Sequence, residues 1–351
     1  MLTRPGIVAV ADVHVGNHGR FGGELREGLN RRCWAVLAAL DHACRVANEA
    51  GATLFIAGDL FDRHDPPARM VAGVMQALSA ADHVVVVCGN HDRADGDHHA
   101  LGPLSWLPNA QVVTRPQVLY CGGWEVLCVP FQRGRGQDWL LPELARWGAT
   151  PALHRRALVT HLGLRTPATP WFLRDSADAI DAPLLAEHLR AAGAELALLG
   201  NWHAPLDVRD GGVEIRQCGA LVPTGWDDPG PDYGRVVGPH GWLGAPAPGP
   251  RFLDWGRHEV RTTPGAGQYV RARVSAALET GVAAELEALR AAGAVAAFEV
   301  LVERAGAVAV APSPGVSRAA ALRWRVDATE VREPGSREAV HEWLARELRI
   351  T

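Results

Sequence analysis

Five short apolar runs in the first 205 residues each end in side chains that bind metal ions or move protons. Ile7–Val10 runs into Asp12-Val13-His14, and Thr53–Ala57 into Gly58-Asp59. Val84–Cys88 runs into Gly89-Asn90-His91-Asp92, Ala157–Thr160 into His161, and Glu195–Leu199 into Gly200-Asn201-Trp202-His203. Taken singly, each has a plain reading: a strand-to-turn junction, a satisfied rim histidine, a tight turn. Taken together they point to one site, because five strands deliver Asp, His or Asn at their carboxyl ends. That is the edge where open α/β sheets bind ligands. Mixed carboxylate, imidazole and amide donors suit Mn²⁺, Zn²⁺ or Fe.

The elements that must position these residues alternate along the chain. Helical spacing covers Leu29–Ala50, with Cys33, Val36, Leu37, Leu40, Cys44 and Ala47 on one face. Pro66 and Pro67 suit the first turn of a helix reaching about Ala81. Strands are expected at Val112–Thr114, Val118–Tyr120 and Glu125–Phe131, and helices at Leu140–Trp147 and Leu184–Ala192. Asp210-Gly211-Gly212 reads as a hairpin turn between Leu206–Arg209 and Val213–Cys218. Continuous apolar strands separated by helices predict an α/β fold whose sheet is covered on both faces.

Pro229–Pro250 reads as a long surface loop. Short strands at Arg251–Asp254 and His258–Arg261 would close a first domain over residues 1–265, with Thr263–Gly267 as linker. Residues 268–351 then give strand Tyr269–Val274, helix Val282–Ala292, strand Ala296–Glu303, further strands and a final helix Arg337–Leu348. This is enough for a small α/β domain of its own.

Composition narrows the function. The 351 residues are 48% apolar and 21% charged, as expected of a globular protein with a sizeable core. The net charge is −4, so no global basic excess advertises nucleic acid. All 35 basic residues are arginine; the chain contains no lysine. That excludes a Walker P-loop and Schiff-base chemistry. The six cysteines are scattered without a CxxC pair and read as free buried thiols. With no signal-peptide pattern and no apolar run near the ~18 residues of a membrane span, a cytoplasmic location without a membrane is expected.

The ordered set of motifs resembles the calcineurin-like metallophosphoesterases, whose pattern is DxH, GDxxD, GNH(D/E), H and GHxH. The resemblance spans roughly residues 7–225. Within the family the chain is most similar to the SbcD-type DNA-repair nucleases, subunits of SbcC–SbcD complexes, including phage-encoded versions. The segments that carry this are Asp12-Val13-His14-Val15-Gly16, Gly58-Asp59-Leu60-Phe61-Asp62 followed by Pro66-Pro67, and Gly219-Ala220-Leu221-Val222-Pro223. The small domain after residue 268 sits where those nucleases carry a DNA-capping domain.

The resemblance implies a metallophosphoesterase β-sandwich with flanking helices and a pair of divalent cations, Mn²⁺ first, with Mg²⁺, Fe²⁺ or Zn²⁺ as alternatives. Asp12, His14, Asp59 and His203 would hold the first cation. Asp59 would bridge to a second, held also by Asn90, His161 and Asn201. Asn201 departs from the pattern, which has a histidine there. A neutral amide oxygen is a weaker and harder ligand, so a weaker second site that favours Mn²⁺ or Mg²⁺ is expected. His91 is implied as general acid, with Asp62 orienting it. Arg63 and Arg93 are candidate phosphate contacts. Arg155-Arg156, Arg165 and Arg174 are candidates for a local phosphate track, and Trp202 and Trp226 for base stacking. The activity implied is a metal-dependent DNA exo- or endonuclease with DNA as substrate, an SbcC-like ATPase partner and a possible homodimer. A phosphatase or phosphodiesterase for small phosphoesters or phosphoproteins is the competing enzyme class. A metal-binding scaffold that has lost catalysis through Asn201 is the non-enzyme alternative.

Overall fold

The computed structural model describes residues 6–94, 98–226, 228, 233–249, 251–255 and 268–303. Two six-stranded sheets lie face to face. The first runs Gly241–Leu243, Val236–Gly238, Ile7–Val10, Thr53–Ala57, Val84–Val87, Ala110–Val113, and its last four strands are mutually parallel. The second runs Leu206–Asp210, Val213–Gln217, Ala194–Leu199, Arg155–Thr160, Trp124–Val129, Gln117–Cys121, with its central four strands parallel.

Strand pleating explains why these runs are apolar throughout. Alternate residues point to opposite faces. Ile7, Ala9, Phe55, Ala57, Val85 and Val87 meet Val126, Cys128, Ala157, Val159, Leu196 and Leu198 in the core between the sheets. Their neighbours Val8, Val10, Leu54, Ile56 and Val86 pack outward under helices Arg31–Ala50 and Ala68–Leu78. On the far side Leu127, Val129, Leu158, Ala197 and Leu199 pack under helices Gly136–Gly148 and Ala182–Ala191. Each sheet therefore has one helical and one sheet neighbour, a four-layer α/β sandwich.

The helix edges follow local chemistry. Asn30 caps Arg31–Ala50 by accepting from the Cys33 N–H at 2.9 Å, and Gly51 closes it in the left-handed region at φ 61°. The helix therefore starts two residues later than its apolar spacing suggests, because Leu29–Asn30 pairs with Leu25–Arg26. After Pro66-Pro67 the helix spans only Ala68–Leu78, with Pro67 as its N-cap rather than inside the first turn.

Two expectations are corrected. The stretch expected as a bare loop contributes a short antiparallel hairpin, Val236–Gly238 with Gly241–Leu243, which adds to the first sheet beside Ile7–Val10. The strand Phe252–Trp255, expected to close the first domain, pairs in parallel with Gln268–Ser275, which pairs with Val295–Glu303. Helix Glu279–Ala291 covers this three-stranded sheet through Val282 and Leu286. The expected strand His258–Arg261, the linker 263–267 and the helix Arg337–Leu348 lie outside the described residues. All six cysteines are free, and five are buried. No helix among the described residues is long and apolar enough to cross a membrane.

Candidate metal centre

Parallel register brings the strand ends to one lip. Val10 is level with Ile56, Ala57 with Val87, and Leu199 with both Thr160 and Gln217. Backbone bonds lock the loops beyond them. Val13 and His14 donate to the Asp59 carbonyl at 2.9 and 3.0 Å, and Gly200 donates to Thr160 at 3.1 Å. Phe131 donates to the Cys88 carbonyl at 2.9 Å, joining the two sheets at the same edge.

The loops are conformationally forced. Six non-glycine residues among those described have positive φ, and four are Asp12, His14, Asp59 and Asn201. Such left-handed residues are uncommon outside glycine and cluster where function over-determines the backbone. The motif glycines have a steric cause. A Cβ on Gly58 (φ 91°) would lie 2.1 Å from His161 Nδ1, and one on Gly89 would lie 2.1 Å from Asp59 Oδ1.

Asp12, Asp59 and His161 are buried, as is His14. Among the described residues ligand atoms fall into three sets, Asp12–His14–His203, Asp12–Asp59–His161 and, at the lip, His14–Asp62–His91, each within 4.8 Å. Asp59 Oδ2 lies 3.3 Å from His161 Nε2 and 3.7 Å from His14 Nε2, so it reaches from its own set towards His14. Asp59 Oδ1 accepts the His91 backbone N–H at 2.8 Å. Asn90 Oδ1 is 2.9 Å from His161 Nε2.

The ring tautomers follow from their partners. Carbonyls and carboxylates only accept, so the Nδ1 that touches one carries a proton. His161 Nδ1 donates to the Ala57 carbonyl at 2.7 Å. His203 Nδ1 donates to the Asp228 carboxylate at 3.1 and 3.2 Å. Both rings thus turn Nε2 inward. His203 Nε2 faces His14 Nε2 at 3.2 Å, a separation at which two ring nitrogens must share a proton or a cation.

The charge balance points the same way. Burial pushes the Asp12 carboxyl above its ordinary range. Burial alone would do the same to Asp59, but the imidazoles of His161 and His14 override it and hold its carboxyl well below the carboxylate range. Burial alone would lower His161 and His203. Asp59 with Asp12 lifts His161 to about 9, and Asp228 with Asp12 lifts His203 to about 9. Without a cation, protons on these rings balance the carboxylates. Buried carboxylates, inward Nε2 atoms and an adjacent amide oxygen fit divalent cations of borderline hardness.

Asn201 donates its side-chain Nδ2–H to the Asp178 carbonyl at 2.9 Å, and its backbone N–H to both Asp12 oxygens at 3.1 Å. That leaves its Oδ1 as the end able to meet a cation. His91 stands exposed at the lip, with Nδ1 donating to Asp62 at 2.8 Å. The accepting atom is the Asp62 backbone carbonyl, not the side chain expected from the resemblance. The Asp62 carboxylate instead faces His14 Nδ1 at 3.5 Å. Asp62 can carry both contacts because its carbonyl and side chain diverge at one residue.

The candidate phosphate arginines are otherwise engaged. Arg63 is exposed and bidentate to Asp65 at 2.9 and 3.0 Å. Arg93 donates to the Thr114 carbonyl at 3.0 Å and Gln132 Oε1 at 3.2 Å. Two of the four arginines of the expected track stand away from the lip. Arg155 and Arg156 begin the six-residue strand that ends beside His161, so roughly 3.3 Å per residue separates them from the lip. Arg156 is buried against Glu125, and Arg165 pairs with Asp181. Trp226 is buried against Phe252 and Phe21. Trp202 packs on Gly163.

Two residues given no role from sequence shape the site. Asp92 is fully buried and accepts from the backbone N–H groups of Phe61 (2.8 Å), Gly89 (3.0 Å) and Leu60 (3.3 Å). It ties the Asp59 loop to the Asn90 loop. Burial, with Asp59 nearby, pushes it up to about 6. Asp228 backs His203 and is itself fixed by the Thr224 hydroxyl at 2.7 Å and N–H at 2.8 Å. The Thr224 carbonyl accepts from buried Arg32 at 2.7 Å. The only sequence signal for Asp228 is an acidic pair, Asp227-Asp228, shortly after Gly219–Pro223.

Residues 6–205 match the calcineurin-like phosphoesterase family (Metallophos). The search of curated proteins returns no match. Among solved structures, the chain is similar to phosphopantetheinyl hydrolase from Mycobacterium tuberculosis, at 14% identity and a TM-score of 0.38, over 63% of this chain and 91% of that one. It is also similar to GAP50, the anchor in the inner membrane complex of Plasmodium, at 11% identity and a TM-score of 0.35, over 61% of this chain and 70% of that one. With more than half its length matched and carboxylate and imidazole ligands converging on one lip, the chain belongs to the calcineurin-like phosphoesterases, metal-dependent hydrolases of phosphoesters.

Proposed function

We propose that the protein is a two-metal phosphodiesterase acting on DNA, with Mn²⁺ as the preferred ion. The observation that carries this reading is the pair of ligand sets sharing the buried Asp12, with His91 exposed beside them. Asp12, His14 and His203 on one side, and Asp59, Asn90 and His161 on the other, would hold divalent cations, which would supply charge for phosphoryl oxygens and make a water more acidic. The protein's own groups do the rest. Asp59, a member of one set and 3.7 Å from His14 of the other, links the two. Asp62 holds the His91 ring through Nδ1, leaving Nε2 to donate a proton to the departing alkoxide.

DNA is favoured over a small ester by three things. One is the resemblance of residues 12–16, 58–62 and 219–223 to the SbcD-type nucleases. The second is the open lip, with Asn90, Asn201 and His203 half-buried rather than enclosed. The third is the additional sheet of Phe252–Trp255, Gln268–Ser275 and Val295–Glu303, which packs against Phe21 and Trp226 through Phe252 and Tyr269. An SbcC-like ATPase partner and a homodimer are proposed on the resemblance alone.

The test is divalent-metal-dependent degradation of labelled single- and double-stranded DNA beside hydrolysis of bis(4-nitrophenyl) phosphate. Mn²⁺-dependent DNA cleavage is expected. It should be lost in His91→Ala while calorimetric Mn²⁺ binding persists. Hydrolysis of the small ester alone would move the assignment to a small-substrate phosphodiesterase. An unchanged rate in His91→Ala would remove the general-acid role.

A further inference from the structure

Beyond His161 the chain builds a loop to which phosphoester hydrolysis itself gives no role. It leaves the lip through the short strand Gly163–Arg165 and returns through its parallel partner Ala179–Asp181. Asp178, just before the return, ties the loop to the metal centre. Its carbonyl accepts the Gly163 N–H at 3.0 Å and the Asn201 side chain at 2.9 Å, and its carboxylate accepts the Gly134 N–H at 3.0 Å. Arg165 holds the two ends together, donating to the Ser176 carbonyl at 3.0 Å and to Asp181 at 3.1 Å. Buried Thr169 closes a turn, its hydroxyl accepting the Thr166 N–H at 2.8 Å. The bonds that fix the loop therefore come from its inner side.

Its outer side carries Trp171 and Phe172, 44% and 50% exposed. The two rings meet edge to face with their centres 5.8 Å apart. Arg174 is exposed in the same turn, its backbone N–H on the Trp171 carbonyl at 3.3 Å and its Nε–H on the Thr169 carbonyl at 3.1 Å. Among the described residues no carboxylate pairs with it. Trp106 and Tyr120 are exposed as well, but at the opposite edge of the sheets. Trp106 precedes the strand Ala110–Val113, whose start is level with Val84, and Tyr120 is level with Glu125, near the start of Trp124–Val129.

A pair of large rings left in water beside a site marks a contact surface. Its extent says with what. At about half exposure the two rings offer on the order of 200 Å². A stable protein interface needs about 800 Å² from each partner. Two ring faces match nucleobases instead, which stack on aromatic side chains whatever their sequence, and a neighbouring guanidinium matches a phosphate. We infer that Trp171 and Phe172 form a stacking platform for the bases of a single DNA strand that passes the metal centre, with Arg174 on its backbone. The inference rests on the DNA reading and specifies the form of the substrate: unpaired bases next to the reacting phosphate.

The test measures binding, so it stands apart from turnover. A labelled oligothymidine and an abasic oligomer of equal length are titrated, by fluorescence anisotropy, with Mn²⁺-loaded His91→Ala protein. The thymidine strand should bind about tenfold more tightly. The double variant Trp171→Ala with Phe172→Ala should bring the two strands level by weakening the thymidine strand alone, and Trp171→Phe should keep most of the preference. Arg174→Ala should weaken both strands equally and reduce the salt slope by about 0.7. Trp106→Ala, at the opposite edge, should change neither. All these side chains lie at the surface, and circular dichroism checks the fold. Equal binding of the two strands overturns the inference, as does a preference that survives the double variant. A double variant that changes oligomeric state on gel filtration assigns the rings to a protein contact and overturns it too. If the preference is absent while the unmodified protein degrades DNA, the platform alone falls; if neither strand binds, the DNA reading falls with it.

Discussion

The two halves of the metal centre use similar residue types but differ in what stands behind them. On one side, His203 leans on the Asp228 carboxylate at 3.1 Å, and His14 faces the Asp62 carboxylate at 3.5 Å. On the other, His161 leans on a neutral carbonyl, Ala57, at 2.7 Å, and its companions Asn90 and Asn201 are neutral amides. A carboxylate behind an imidazole strengthens the inward nitrogen as a donor and fixes its tautomer; a carbonyl fixes the tautomer with less charge. The half with Asp12, His14 and His203 is therefore expected to hold a cation more tightly than the half with Asn90, His161 and Asn201.

Asp59 faces His161 of one half at 3.3 Å and His14 of the other at 3.7 Å, and its loss should have the largest effect. Asp59→Asn keeps the size and the acceptor for the His91 N–H, but removes the charge beside both His14 and His161. Both cations should be lost from calorimetric Mn²⁺ titrations, and phosphodiester hydrolysis should fall about 10³-fold or more. Loss of one cation only would show that the halves are independent.

Asp228→Asn acts on one half alone. Mn²⁺ affinity at the His203 site should drop about 10–100-fold, the usual consequence of removing an outer-shell carboxylate. The second cation should be unaffected. An equal fall at both sites would remove the contrast between them.

Proton release distinguishes the halves less sharply but tests the electrostatics of both. In the metal-free protein His161 and His203 are lifted to about 9, so at pH 7 both rings carry a proton beyond the one they donate outward. A cation needs a free Nε2. Each binding event should therefore expel about one proton. Affinity should rise with pH from 6 towards 9 and level off above it. Calorimetry in buffers of different ionisation heat reads the proton count; a count of zero at pH 7 would contradict the charge balance.

The sequence already showed much of this site, for a physical reason. Strands buried on both faces must be apolar throughout, so the first polar residue past each end is conspicuous. Asp12, Asp59, Asn90, His161 and Asn201 stand out in this way. Asp92 and Asp228 do not, because their roles depend on backbone N–H groups or on a ring that is close only after folding. Arg155 and Arg156 show the opposite error: near His161 in sequence, they sit at the far end of its strand. The hairpin 236–243 was hidden because each strand has only three residues, among Gly and Pro. The pairing of Phe252–Trp255 with Gln268–Ser275 was hidden because a parallel partner leaves no turn signature.

The smallest expected change tests the looser half directly. Asn201→His restores an imidazole where the family pattern has one. Asn201 sits at φ 85°, in the left-handed region, where histidine is among the better tolerated residues. The backbone N–H that binds Asp12 is kept, but the side-chain bond to the Asp178 carbonyl is lost unless the new ring donates to it. Gain and loss oppose each other, so the second Mn²⁺ should tighten by only about tenfold, or ~1.4 kcal/mol. The first site should be unchanged. The signature is a rise in phosphodiesterase activity at limiting Mn²⁺ that vanishes at saturation. A variant no tighter than the parent would mean that Asn90, His161 and the bridging Asp59 alone set the affinity of that half.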